Sequence, residues 1–163
     1  MTDTAAPHLR VQAALDRLLP GRQVRRFETS TATSEEAAAA CGCPLGAIVK
    51  TLAFLVDGDP LLVLAAGDRQ VDTGAIAERF GVARKRVQMA RPDVVIDATG
   101  YAVGGVPPVG HPRPLPALVD RSLERFDQLW AAAGEPNAVF PITLDELLHV
   151  TGGQPADCTR ERG

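Results

Sequence analysis

Apolar positions fall along the chain in two rhythms. From residue 47 to 56 the run Ala-Ile-Val-Lys-Thr-Leu-Ala-Phe-Leu-Val is nearly unbroken and rich in β-branched side chains, which predicts a buried strand. Asp57-Gly58-Asp59-Pro60 reads as a turn and residues 61–66 as the returning strand. A helical period predicts a helix over 7–19, with Pro7 in its first turn, Leu9, Leu15, Leu18 and Leu19 on one side, and Pro20-Gly21 ending it. Thr33 with Glu36, and Thr143 with Glu146, have capping-box spacing and open helices ending near Gly42 and Val150. Asp72 caps a further helix through Phe80, closed by Gly81. Short strands are expected at 23–29, 82–89 and 115–120, a brief helix at 91–98, a helical turn at 121–127 and a hairpin at 129–133 with 138–142. Residues 100–112, with four glycines and three prolines, fit neither helix nor regular strand. The pattern predicts an α/β (mixed α+β) fold: a mixed, largely antiparallel sheet with helices around it.

The chain has 163 residues, enough for one core, and reads as a single domain over 1–163 with a core at about 8–153 and a polar, frayed tail at 154–163. Hydrophobic residues make up 45% and charged residues 23%, which excludes a disordered or collagen-like chain. No apolar run reaches the roughly 18 residues a membrane span needs, and Met1-Thr2-Asp3-Thr4 lacks the basic, apolar character of a signal peptide. Three cysteines, an odd number, fit a reducing compartment, so the expected location is the cytoplasm, with no membrane partner.

The net charge of −3 excludes a strongly basic nucleic-acid coat but not a local basic face. Residues 79–91 carry Arg79, Arg84, Lys85, Arg86 and Arg91 and no acid; such a window either contacts tRNA phosphates or is an ordinary solvated face. Lys50 shares a strand face with Ile48, Leu52, Phe54 and Val56, where an ammonium is costly unless it meets an anion or water. The chain has 15 arginines against two lysines, so a lysine here points to a compact charge. It is either an anion-binding or catalytic lysine in a cleft, or a strand-end lysine reaching solvent. Gly104-Gly105 lets a backbone approach a ligand closely, and the amides of the loop could gather around a phosphate or oxyanion; a rigid surface turn is the bland alternative. His111 flanks that loop and Asp120 ends an apolar strand, so both are candidates to line a cleft. Cys41-Gly42-Cys43 has no second pair for zinc, no serine elbow is legible, and no metal or cofactor is expected. A thiol-based regulator acting through Cys41 and Cys43 is the weakest reading.

The motifs Thr33-Ser34-Glu35-Glu36-Ala37-Ala38, Ile48-Val49-Lys50-Thr51-Leu52, Gly67-Asp68-Arg69 and Thr99-Gly100-Tyr101, with Gly104-Gly105-Val106-Pro107-Pro108-Val109-Gly110, resemble the YbaK/EbsC family. This is the prolyl-tRNA synthetase-associated, or editing, domain family, and the resemblance spans about residues 8–153. It implies a barrel-like mixed sheet with a central cleft and a freestanding aminoacyl-tRNA deacylase that clears a small non-cognate amino acid, often from tRNA(Pro). It maps the family's essential lysine onto Lys50 and its glycine–proline loop onto Gly104 to Pro108, with amides near Gly104 and Gly105 binding the carbonyl oxygen. Phe27, Thr51, Val106, Pro108 and Gly110 are the pocket members expected by position. The implied mechanism uses a ribose hydroxyl of the substrate rather than a protein nucleophile or metal. Aminoacyl-tRNA is the implied partner, with docking on prolyl-tRNA synthetase an open extension and a monomer or weak homodimer the expected state. Pro107 stands where relatives have a small polar residue, which leaves the amino acid unassigned. The alternative is a non-catalytic tRNA- or nucleotide-binding module on the same fold.

Overall fold

The computed structural model describes residues 5–162. The reading of residues 1–4, and Gly163, lie outside them. The elements run α1 (Pro7–Leu18), β1 (Arg25–Arg26), α2 (Ser34–Cys41), β2 (Ile48–Val56), β3 (Asp59–Ala66), β4 (Arg69–Val71), α3 (Thr73–Phe80), β5 (Val87–Met89) and α4 (Pro92–Thr99). After a long irregular loop come β6 (Ala117–Asp120), β7 (Leu129–Ala132), β8 (Ala138–Ile142), α5 (Leu144–Thr151), β9 (Gln154–Ala156) and β10 (Thr159–Glu161).

β3 is a central strand buried from Leu61 to Ala66, which explains its unbroken apolar run. The main sheet is ordered β1-β8-β7-β2-β3-β6-β9, and β4 pairs with β10 in a separate ribbon. Hairpin-type pairs are antiparallel, as expected; β2–β7, β3–β6 and β6–β9 are parallel. Both capping boxes form, and Gly42, Gly81, Gly100 and Gly152 close their helices in the left-handed conformation.

One feature of the sheet prepares the site. Along one edge of β2, β7 pairs only at Ile48 and Val49, and β5 only from Phe54 to Val56. Between them, residues 50–52 have no strand of the described residues beside them on that edge, although β3 pairs along the other edge.

Four expectations are corrected. Leu9 is exposed; the buried face of α1 is Val11, Ala14 and Leu15, one step round the helix. The strand at 23–29 shrinks to Arg25–Arg26, and that at 82–89 to Val87–Met89 behind a 3-10 turn over Arg84–Arg86. The tail is not frayed: β9 extends β6, β10 pairs with β4, and Ala156 and Cys158 are buried in the second core cluster. Small side chains at alternate positions do this, and overall polarity hid them.

Candidate functional site

The site begins with two glycines that let elements touch. A side chain at Gly67 would meet the Leu45 carbonyl oxygen at 2.5 Å and Ser34 Cβ at 2.9 Å. A side chain at Gly46 would meet Phe126, Arg125 and the Asp68 carboxylate within 2.9 Å. The N-terminal end of α2 is thereby seated against the turn leaving β3. Asp68 is held there by a two-pronged pair with Arg125 at 2.7 and 2.9 Å, and that guanidinium lowers its carboxyl below the usual value. The next carbonyl, of Arg69, accepts from Lys50 Nζ at 2.6 Å.

Lys50 stands where β2 loses its neighbouring strand, half-buried on the predicted face. Burial is the main influence lowering its pKa, and Arg162 adds to it; Glu35 and Asp68 act in the opposite sense. Around Lys50 opens a cleft of about 290 Å³. The α2 end supplies Thr31 to Glu35, β2 supplies Ile48 to Leu52, the irregular loop supplies Val103, Gly104 and Val106, and Trp130 and Val139 form an apolar wall. Arg162, at the end of the chain, reaches the rim and pairs with Glu35 at 2.9 Å.

Two hydroxyls among the lining residues stand out. Thr31 Oγ1 and Thr51 Oγ1 are both buried, and neither has a hydrogen-bond partner among the described residues. An unpaired buried hydroxyl costs about 1–3 kcal/mol, a cost that a bound polar group removes. Thr31 was absent from the sequence-derived candidates, because a lone threonine ahead of a capping box carries no pattern. Arg162 was missed for the same reason as the strand that precedes it.

The glycine–proline loop divides its work. Gly104 takes φ +97° and borders the cleft, its Cβ position 3.5 Å from Ala32. Gly105 donates its amide to the Ala102 carbonyl and accepts from the Gly134 amide, so that amide is already used. A side chain at Gly105 would come within 2.9 Å of the Gly134 backbone, so its part is close packing. Pro107 and Pro108 are buried, so this is no surface turn.

The other candidates lie elsewhere. Pro108, Gly110 and His111 line a second cavity of about 330 Å³ on the α1–α5 side. There His111 Nε2 bonds the Pro107 carbonyl at 2.8 Å, and Tyr101 donates to the Gly110 carbonyl at 3.0 Å. Burial lowers the His111 pKa, which favours the neutral ring. Asp120 is buried away from the cleft and accepts from the Ser122 amide and hydroxyl, the Cys158 amide and the Thr159 hydroxyl. Burial pushes its carboxyl up, but those hydrogen bonds outweigh it and hold the pKa below the usual value. Its work is to clamp the last strand. Phe27 packs behind the cleft wall with Ile48, Trp130 and Val139.

The cations of 79–91 form no single free patch. Arg86 pairs with Asp57 at 3.2 Å, Arg91 with Asp93 at 3.5 Å, and Arg79 donates to Gln154 at 2.7 Å. Burial raises the Cys41 thiol to about 11 and the Cys158 thiol to about 12, away from reactive thiolate. Among the described residues, no cluster of three or more His, Cys, Asp or Glu could hold a metal, and no helix is long and apolar enough to cross a membrane.

The chain is similar to several known proteins over most of its length. The profile of the aminoacyl-tRNA editing domain matches residues 28–150. The uncharacterized protein YwhH of Bacillus subtilis is 38% identical over 125 residues, covering 76% of this chain and 78% of that one. EbsC of Enterococcus faecalis, a candidate Cys-tRNA(Pro)/Cys-tRNA(Cys) deacylase by name, is 25% identical and covers 78% of this chain and 77% of its own. A crystal structure described as a candidate trans-editing enzyme for prolyl tRNA synthetase superposes with a TM-score of 0.88 at 40% identity, covering 99% of this chain and all of that one.

Proposed function

The chain belongs to the aminoacyl-tRNA editing domain family, and from that premise we propose that its cleft hydrolyses the ester of a mischarged tRNA. The observation that carries the reading is the meeting of Lys50, the open edge of β2 and two unpartnered buried hydroxyls in one small, apolar-walled cleft.

In this mechanism the amino acid enters against Ile48, Trp130 and Val139. A cleft of about 290 Å³ suits a small residue such as alanine, serine or cysteine. Thr31 and Thr51 supply acceptors for its ammonium group. One N–H of Lys50 Nζ donates a hydrogen bond to the Arg69 carbonyl, which fixes the side chain; the other two hold the terminal ribose or its phosphate. Water forms the new bond to the ester carbonyl carbon, assisted by the neighbouring ribose hydroxyl. The Gly104 amide, which donates to no other group among the described residues, serves as the donor to the developing oxyanion. The ester C–O bond breaks, the ribose oxygen takes up the proton, and free amino acid and uncharged tRNA leave. Every group acts by position and charge. The likeness to a structure described as serving prolyl tRNA synthetase makes tRNA(Pro) the first tRNA to try.

The test is a deacylation assay on tRNAs charged with alanine, serine, threonine, cysteine and proline, using wild type and a folded Lys50→Ala variant. Selective hydrolysis by the wild type, reduced in the variant, is the expected result. Binding of tRNA without cleavage of any member would leave a non-catalytic binding module on the same fold.

A further inference from the structure

On its outer side the cleft passes into a shallower groove of about 740 Å³ that shares Lys50, Leu52 and Arg162 with it. The β4–β10 ribbon walls this groove, and Phe54, Met89 and Thr73 complete its lining. Its charged residues are Lys50, Arg69, Arg160 and Arg162, with no carboxylate among them. The Arg69 guanidinium is already engaged: it donates to the Thr159 hydroxyl at 3.1 Å and carbonyl at 3.3 Å. Arg160 and Arg162 are two residues apart and share the groove face. Among the described residues the Arg160 guanidinium has no hydrogen bond or ion pair, and Arg162 pairs with Glu35 on the rim.

Two exposed guanidiniums above an acid-free groove suit phosphate oxygens, which they can grip with paired donors. Exposed Met89 offers an adaptable apolar surface to a base. Beyond it, Arg84 donates to the Thr73 hydroxyl at 3.3 Å, joining the groove to the basic turn at 84–86. β10 lies past residue 150, where the match to the family profile ends.

We infer that this groove seats the sugar–phosphate backbone of the single-stranded 3′ end of the tRNA, with Arg160 and Arg162 on its phosphates. The inference rests on the deacylase reading of the cleft, and its test separates the two.

The measurement compares wild type, Arg160→Ala, Arg160→Ala/Arg162→Ala, Arg160→Lys/Arg162→Lys, and a control with the charge change of the alanine pair, Arg17→Ala/Arg113→Ala. Thermal melting checks that each is folded. Substrates are alanyl-tRNA(Pro), or whichever charged tRNA the panel identifies, and the matching aminoacyl-adenosine, which has no phosphate for the groove. The alanine pair should raise KM for the charged tRNA at least ten-fold and keep kcat within three-fold. Because Arg162 also stands on the cleft rim, aminoacyl-adenosine cleavage should fall too, but at least five-fold less than cleavage of the charged tRNA, and Arg160→Ala alone should leave it unchanged. The lysine pair should recover most of the loss. In binding of uncharged tRNA, the slope of log affinity against log salt should fall by about 1.4 for two lost contacts to a single strand. An equal loss in the control, or an equal loss on aminoacyl-adenosine, overturns the inference. If wild type cleaves nothing but the alanine pair still weakens tRNA binding ten-fold, the deacylase reading falls and the groove stands. Unchanged tRNA binding by the alanine pair removes the groove assignment whatever the cleavage result.

Discussion

The two cavities beside the glycine–proline loop are nearly equal in volume, about 290 and 330 Å³, yet they are chemically unlike. In the one facing α1 and α5, the buried polar groups of the loop have partners: His111 meets the Pro107 carbonyl and Tyr101 the Gly110 carbonyl. In the Lys50 cleft, two buried threonine hydroxyls have none, and the edge of β2 is open. Satisfied groups fit the first to an architectural part, and unsatisfied ones favour the second for the ligand site we propose. Space alone does not distinguish them.

The strongest way to break this contrast is Lys50→Ala. It should cut deacylation by about 10²-fold, the size of loss that follows when the reacting groups are misplaced, because the ribose or phosphate loses its anchor, with the melting temperature nearly unchanged. Asp120→Ala tests the opposite kind of buried polar residue. It should cost about 3 kcal/mol in urea unfolding, because the Cys158 amide and two hydroxyls lose their charged acceptor. The folded-state pKa of Asp120 is lowered, so its contribution is complete above the ordinary value of 3.8 and disappears as pH falls through the lower folded value. Acid unfolding of the wild type should therefore steepen below about pH 4, and the variant should lack that component.

Gly105→Ala should destabilise by about 1–3 kcal/mol, since its Cβ would press on the Gly134 backbone. A neutral result in calorimetry would show that the two loops can separate. Thr31→Val sharpens the contrast further: stability should hold or rise, because an unpaired hydroxyl is removed, while KM rises several-fold. A loss of stability would mean that the hydroxyl is satisfied in the free protein. The smallest effect is expected from His111→Gln, with activity within two-fold of wild type in the same assay; a large loss would bring the second cavity into the site.

Much of this was legible before the fold was known, for identifiable reasons. The β2–β3 hairpin and both capped helices follow from local rules of period and capping, and they place Lys50 on its face. The match of the family profile to residues 28–150 agrees with the motif resemblance. What was not legible depends on partners far away in sequence. Whether Asp120 faces a cleft or a clamp depends on Cys158, 38 residues later. Whether the Gly105 amide is free depends on the turn taken at Ala102, and its need for glycine depends on Gly134. The 79–91 window contained no acid, but Asp57, on a different hairpin, supplies one to Arg86.

The interrupted edge of β2 has a consequence for solubility as well as for chemistry. Exposed strand edges recruit other chains into sheets, and proteins normally cover or charge them. Here the bare edge covers only residues 50–52, with β7 on one side and β5 on the other. An incoming strand would need a longer run of free backbone than this interval offers. The protein thus keeps a short gap beside one strand within a sheet, next to the Lys50 cleft, and that gap is too brief to serve as a template for aggregation.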